Sequence, residues 1–164
     1  MYYTLIEHPE FYEENKNSQR QNIGLYLDYS IYSPNVPVIR NDKGEWLEEP
    51  YMMNVLTSPA PNKYAIVTEL GDMDEEEELM LDTNIGRVFY KRMQQVLGIM
   101  AENGHKSIVL GCWGCGAFGG DPYMVSCLFD ACLRGPCNYF DKVTFAIFDS
   151  KDSDNFRAFS DCFS

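Results

Sequence analysis

Five glycines fall within ten residues, Gly111-Cys-Trp-Gly-Cys-Gly-Ala-Phe-Gly-Gly120, and this run constrains the chain more than any other feature. It follows Lys106-Ser-Ile-Val-Leu110, a short apolar run typical of a buried parallel strand. It precedes a helix that opens at Pro122 with Asp121 as its cap. Glycine allows positive φ and lets another group come close to the backbone. Successive N–H groups in such a loop form an anion-binding concavity, and the helix start behind it adds positive partial charge. A diphosphate suits that concavity. The spacing is not the dinucleotide fingerprint, and no Lys-Ser or Lys-Thr closes it as in a P-loop. A tight connection needs one or two glycines for packing; five exceed that need.

The flanking sequence supplies the frame. The stretch after Pro9 opens a short polar helix. Gly24 to Ser33 is rich in aromatic and β-branched residues, but Pro34 and Pro37 interrupt a regular ladder. Val36 to Arg40 reads as a short edge strand, 41–44 as a turn, and Tyr51 to Thr57 as a buried strand. The two prolines of Ser58-Pro-Ala-Pro-Asn62 require a loop. The acidic stretch 69–83, centred on Asp74-Glu-Glu-Glu-Glu78, reads as a solvated loop or frayed helix start. Asn84 to Asn103 is the clearest helix: Val88, Met93, Val96, Leu97, Met100 and Ala101 recur at helical spacing, Asp82 or Thr83 is placed to cap it, and Gly104 follows. After the loop, Val125, Leu128, Phe129, Cys132 and Leu133 share one side of a second helix. Lys142 to Phe148 is the last strand, and 155–163 a terminal helix. Helix, strand, glycine loop, helix, strand is an α/β order with a mostly parallel or mixed sheet. Ligands of such sheets sit beyond the carboxyl ends of the strands, here the loops 58–62, 111–121 and 148–154.

Bulk properties narrow the partners. A chain of 164 residues fits a single domain, 1–164. A net charge of −12 disfavours nucleic acid, but not a small phosphorylated ligand held by backbone N–H groups. No apolar run reaches the length of a membrane span and no signal peptide is evident, so the expectation is a cytoplasmic protein with reduced thiols. Cys112-Trp-Gly-Cys115 is a C-x-x-C, but glycines rather than a helix N-terminus follow it, and no second close pair completes a zinc set. No metal and no cofactor are expected. Trp113 reads as a core residue, although it shares the loop with Phe118, whose ring is suited to stacking on a ribose or base. His8 and His105 sit in no catalytic pattern, and His105 reads as an ordinary exposed residue past a helix end.

Four segments together, Ile31-Tyr-Ser-Pro-Asn-Val-Pro-Val38, Leu56-Thr-Ser-Pro-Ala-Pro-Asn62, Val109-Leu-Gly-Cys-Trp-Gly-Cys-Gly-Ala-Phe118 and Phe145-Ala146, resemble the microbial-type poly(ADP-ribose) glycohydrolase family. The resemblance runs in order through nearly the whole chain. It implies a macrodomain-like three-layer α/β sandwich, trimmed at its N-terminus. It implies that Gly114, Cys115, Gly116, Ala117 and Phe118 wrap the diphosphate of ADP-ribose, with Gly111, Trp113, Gly119 and Asp121 completing the loop. Phe118 and Asn62 would lie at the ribose end, and Phe148 and Asp149 at the adenine side.

The chain departs from the family in one respect. The family carries a triple glycine followed by Gln-Glu-Glu, whose acid protonates the glycosidic oxygen, upstream of the matched region. Here the only adjacent glycines are Gly119-Gly120, and none of the four glutamines precedes Glu-Glu. Glycoside hydrolysis needs a placed carboxylic acid. Glu13-Glu14 and Glu48-Glu49 are present, but nothing in the sequence places them at the cleft. The expected function is therefore binding of an ADP-ribose-type nucleotide without turnover, as a reader or as a sponge for a signalling nucleotide such as a cyclic ADP-ribose. The alternatives are a hydrolase with a relocated or partner-supplied carboxylate, and a fragment with a decayed site. If the first strands of the sheet are absent, an open edge favours a homo-oligomer.

Overall fold

The computed structural model describes residues 5–18, 23–150 and 152–164. Its elements are α1 (Pro9–Ser18), β1 (Ile31–Arg40), β2 (Trp46–Thr57), α2 (Lys63–Leu70), α3 (Glu75–Glu102), β3 (Ser107–Leu110), α4 (Pro122–Arg134), β4 (Lys142–Phe145) and α5 (Asp154–Phe163). The α/β order read from the sequence is present, but the strands form two separate pairs rather than one sheet. β1 and β2 are antiparallel, β3 and β4 are parallel, and among the described residues no ladder joins the pairs.

The hairpin is longer than its sequence indicates. Asn41 closes the turn, accepting from Gly44 N at 2.9 Å through its carbonyl and from Glu45 N at 3.0 Å through its side chain. Pro34 is absorbed by a register shift between Ser33 and Val36, while Pro37 pairs opposite Met52, so the strand survives both prolines. Tyr51, Met52 and Met53 are not buried as their apolar run implies: they are 58%, 58% and 43% exposed. The hairpin projects past the core there, and burial is concentrated at its open end, where Ile31 and Ser33 of β1 are buried and β2 is half-buried from Asn54 onward.

α3 starts nine residues before Asn84. Asp74 is the N-cap, accepting from Glu77 N at 2.9 Å, while the Glu77 carboxylate accepts from Asp74 N at 3.1 Å. This capping box turns the acidic run into a first turn whose charge suits the positive end of the helix. Asp82 and Thr83 are therefore interior: Asp82 pairs with Lys63 at 2.5 Å, and the Thr83 hydroxyl donates to Leu79 O at 2.8 Å. β4 stops at Phe145 rather than Phe148 because its partner stops at Leu110, whose carbonyl accepts the final bond from Ala146 N at 2.7 Å.

The core lies along α3. Ile85, Phe89, Met93, Leu97 and Met100 are buried at spacings of four, four, four and three, meeting Ile108 of β3, Val125, Phe129 and Cys132 of α4, and Ala158 and Phe159 of α5. Phe145 stacks on Phe163 at 4.4 Å between ring centroids, which ties the last strand to the last helix. No helix among the described residues is long and apolar enough to cross a membrane.

One charged residue shares the buried face of α3. Arg92 is 2% exposed. Its guanidinium donates to Asp28 Oδ1 at 2.8 Å, Tyr26 O at 2.9 Å and Pro59 O at 3.1 Å. Lys91 reaches the other Asp28 oxygen at 2.5 Å, and Gln95 donates to Asp28 O at 2.6 Å. Partial burial opposes ionisation of Asp28, but hydrogen bonds from Lys91 and Arg92 outweigh it and hold the carboxyl below its ordinary value. The stabilisation is thus fully present above the unfolded carboxylate value of about 3.9 and is lost as pH falls through the lowered folded value. Arg92→Met is expected to cost about 3 kcal/mol near neutral pH in urea unfolding, because it leaves Asp28 with Lys91 alone and takes the donor from two carbonyls. The same measurement at decreasing pH is expected to show that cost shrinking as Asp28 takes up its proton; a pH-independent cost would remove the ion pair from the explanation.

Candidate functional site

The glycine loop leaves β3 and turns back on itself before α4. Its internal bonds run from Trp113 N to Gly111 O at 2.9 Å, Cys115 N to Cys112 O at 3.2 Å, Gly119 N to Gly116 O at 3.0 Å and Gly120 N to Gly114 O at 2.9 Å. The N–H groups of Gly114, Gly116, Ala117 and Phe118 meet no protein acceptor among the described residues. Gly116 and Ala117 are exposed at the tip. A run of unpaired N–H groups at the carboxyl end of a parallel strand is suited to a polyanion.

The glycines serve different ends. Gly114 has φ +80°, and a Cβ there would lie 2.9 Å from the Phe89 ring and 3.0 Å from Ala60 Cβ. Gly119 has φ +68° under the ring of Tyr64, and a Cβ on Gly120 would meet Gly114 O at 2.9 Å. Packing and backbone geometry thus require glycine at these three. A Cβ on Gly111 would make only ordinary contact, and one on Gly116 would meet nothing within 4 Å. The glycine at position 116 therefore answers to no neighbour among the described residues.

The other sequence-selected residues are placed unevenly. Asp121 caps α4, accepting from Tyr123 N at 2.9 Å. Asn62 caps α2: its Oδ1 accepts from Ala65 N at 3.0 Å, and its N–H donates to Gly24 O at 2.8 Å. Trp113 packs edge-on against Phe89 at 5.7 Å, which is the core role its sequence context favours. Phe118 is half-buried beside Tyr26 at 6.1 Å, and its carbonyl accepts from Tyr64 N at 3.2 Å. Phe148 is fully exposed. Asp149 accepts from Ser150 N at 2.8 Å and Asn155 Nδ2 at 3.0 Å, and these bonds, the backbone one foremost, hold its carboxyl below the usual range.

Two depressions among the described residues divide part of the set. A groove of about 410 Å³ takes in Gly111, Cys112, Trp113 and Gly114 together with Leu56 and Ser58. Gly119 borders a separate one of about 260 Å³ with Lys63 and Tyr64. The loop tip stands open between them.

Three contributors were not legible as site residues. Tyr64 covers Gly119, Ala60 closes on Gly114, and Asn155 links the two loops by accepting from Cys112 Sγ at 3.4 Å while donating to Asp149. The C-x-x-C thiols are engaged locally. A hydrogen bond with Cys112, reinforced by burial, raises the Cys115 thiol, while the same bond lowers Cys112 against burial and the Asp149 charge. All six cysteines are free, and no cluster of three or more His, Cys, Asp or Glu side chains able to hold a metal occurs among the described residues.

Known proteins share this architecture. The family model for the microbial-type PARG catalytic domain matches residues 1–41. The poly(ADP-ribose) glycohydrolase from Deinococcus radiodurans, solved in complex with ADP-ribose, is 36% identical with a TM-score of 0.78 over 92% of this chain and 57% of its own. The Thermomonospora curvata enzyme bound to the inhibitor ADP-HPD is 40% identical with a TM-score of 0.78 over 99% of this chain and 58% of its own. No curated protein matches the chain. The fold is thus a macrodomain-like α/β fold, and sequence and fold together place the chain with the microbial-type poly(ADP-ribose) glycohydrolases. It spans about 57% of the length of the Deinococcus relative.

The loop's glycines divide into those that packing requires and one that it does not. Gly114→Ala is expected to destabilise the protein by roughly 1–3 kcal/mol through overpacking and an unfavourable φ, whereas Gly116→Ala is expected to leave the thermal midpoint within about 2 °C. Equal shifts for the two variants would contradict the division drawn above.

Proposed function

We propose that this chain binds an ADP-ribose-type nucleotide, with the diphosphate held by the N–H groups of Gly114, Gly116, Ala117 and Phe118. The observation that carries this reading is the set of four unpaired N–H groups at the end of β3. A net charge of −12 makes backbone donors the natural means of holding an anion here. Support also comes from the Deinococcus and Thermomonospora relatives, solved with ADP-ribose and with ADP-HPD. In this reading Phe118 and the Asn62 end of the cleft face the ribose, and the exposed Phe148 ring beside Asp149 serves the adenine.

The same geometry argues for binding without turnover by these residues alone. A general acid for glycoside cleavage needs a carboxyl with a raised pKa next to the scissile bond. Asp121 is occupied as a helix cap, and Asp149 is held in the opposite direction. Glu49 lies eight residues up β2 from Thr57, about 26 Å along an extended strand. The chain then acts as a reader of ADP-ribose or as a sequestering protein.

Calorimetric titration with ADP-ribose, followed by chromatography of the recovered ligand, tests this. Binding is expected, with intact nucleotide returned. Gly116→Val is expected to weaken it at least tenfold, about 1.4 kcal/mol, by filling the loop's mouth. Unchanged affinity in that variant would move the site elsewhere, and cleaved product would make the chain an enzyme.

A further inference from the structure

We propose that Cys112 and Cys115 are a dithiol–disulfide couple, oxidised by small-molecule disulfides that enter through the groove beside Gly111, and that the state of the couple decides whether the glycine loop stays tied to Asp149 through Asn155. Cys112-Trp-Gly-Cys115 closes a turn, with Cys115 N donating to Cys112 O at 3.2 Å. Gly114, third in the turn, has φ +80°, as a type II turn requires. Such a turn brings its first and fourth Cα atoms within about 7 Å. A disulfide bridges Cα atoms up to about 7 Å apart. The two thiols are already hydrogen-bonded to each other, so the ring closes within the existing turn.

The pair also has a nucleophile and an entrance. Reactive C-x-x-C pairs usually take thiolate stabilisation from a helix N-terminus. Here the partner thiol supplies it: the bond from Cys115 favours the Cys112 thiolate, against burial and the Asp149 charge. Cys112 lines the groove of about 410 Å³ with Gly111 and Trp113, which opens its sulfur to a small reagent. The other cysteines lack this combination. Cys132 and Cys137 adjoin, with Cys137 N donating to Cys132 O at 2.8 Å, but both are buried and burial pushes both thiols up. Cys127 is exposed, but Cys162 beside it is raised by burial and donates to Ser126 O at 3.6 Å.

The step is thiol–disulfide exchange. The Cys112 thiolate attacks one sulfur of the small disulfide and releases its first half as a thiolate. Cys115 then gives up its proton, attacks Cys112 Sγ in the mixed disulfide and releases the second half. Two protein thiols are oxidised, one disulfide is reduced to two small thiols, and the two protons end on those thiols. The dithiol holds two contacts that the disulfide lacks. Cys112 Sγ donates to Asn155 Oδ1 at 3.4 Å, and Cys115 Sγ to Trp113 O at 3.7 Å. Asn155, at the start of α5, in turn donates to Asp149 at 3.0 Å. Oxidation removes both S–H donors, so Asn155 keeps Asp149 and loses the glycine loop.

The protein is equilibrated with oxidised and reduced glutathione in varied ratio, quenched by alkylation and mapped by peptide mass spectrometry. A Cys112–Cys115 bond is expected, with loss of two hydrogen atoms and full reversal by dithiothreitol. Cys115→Ser is expected to stop at a mixed disulfide on Cys112, and Cys112→Ser to leave Cys115 unmodified. In the oxidised wild-type protein, amide exchange at Ser150 and Ser153 is expected to quicken about threefold or more, with Phe89 and Met93 of α3 unchanged. Retention of all six thiols under the oxidising ratio, a bond confined to other cysteines, a mixed disulfide on Cys115 instead of Cys112, or unaltered exchange at Ser150 and Ser153 would each overturn the proposal. No readout involves nucleotide, so this couple and the diphosphate site stand or fall separately.

Discussion

The Arg92 guanidinium is the contact on which the rest of the structure depends. It is a full charge on the core-facing side of the longest helix, tolerable there only because Asp28 and two backbone carbonyls surround it. Its partners come from the segment before β1 and from the loop after β2, so one side chain fixes both ends of the hairpin against α3. Pro59 O is held there, which sets Ala60 against Gly114. The position of the glycine loop relative to the hairpin thus traces back to a single buried cation.

Much of the functional region was open to reading because its signals are local. A strand, a cluster of glycines, Asp121 and Pro122 each act over a few residues, and the structure has β3, the turn-rich loop and a capped α4 in that order. The start of α3 was also legible in principle, since Asp74 and Glu77 stand three apart as a capping box requires, but five consecutive acids read more readily as solvated chain. α2 left a fainter trace: Asn62 is a good cap, yet the prolines before it draw attention to the loop.

What the sequence hid are interactions between distant residues. Arg92 meets Asp28 across 64 positions, and His105 meets Tyr32 across 73 and Asn54 across 51. Periodicity assigns Arg92 to a face but carries no record of its partners. His105, which reads as an ordinary exposed residue past a helix end, is half-buried, with Nε2 2.8 Å from the Tyr32 hydroxyl. The apolar run from Tyr51 to Met53 misleads for the converse reason: hydrophobicity gives a tendency to be buried, and only the reach of the core decides whether anything is there to cover it.

The lack of a ladder between the two strand pairs among the described residues bears on the cleft in a further way. One wall, the loop of Pro59 and Ala60, hangs from the hairpin; the other, Gly111 to Gly120, hangs from β3. Among the described residues no ladder fixes the gap between them, as it would in a continuous sheet, and one backbone bond, from Tyr64 N to Phe118 O at 3.2 Å, spans it at one side. The rest of the mouth's width is a side-chain dimension, written by Phe89, Arg92 and Val96 along one helix. The opening is accordingly shaped from beneath, by residues of α3, as much as by the loops that border it.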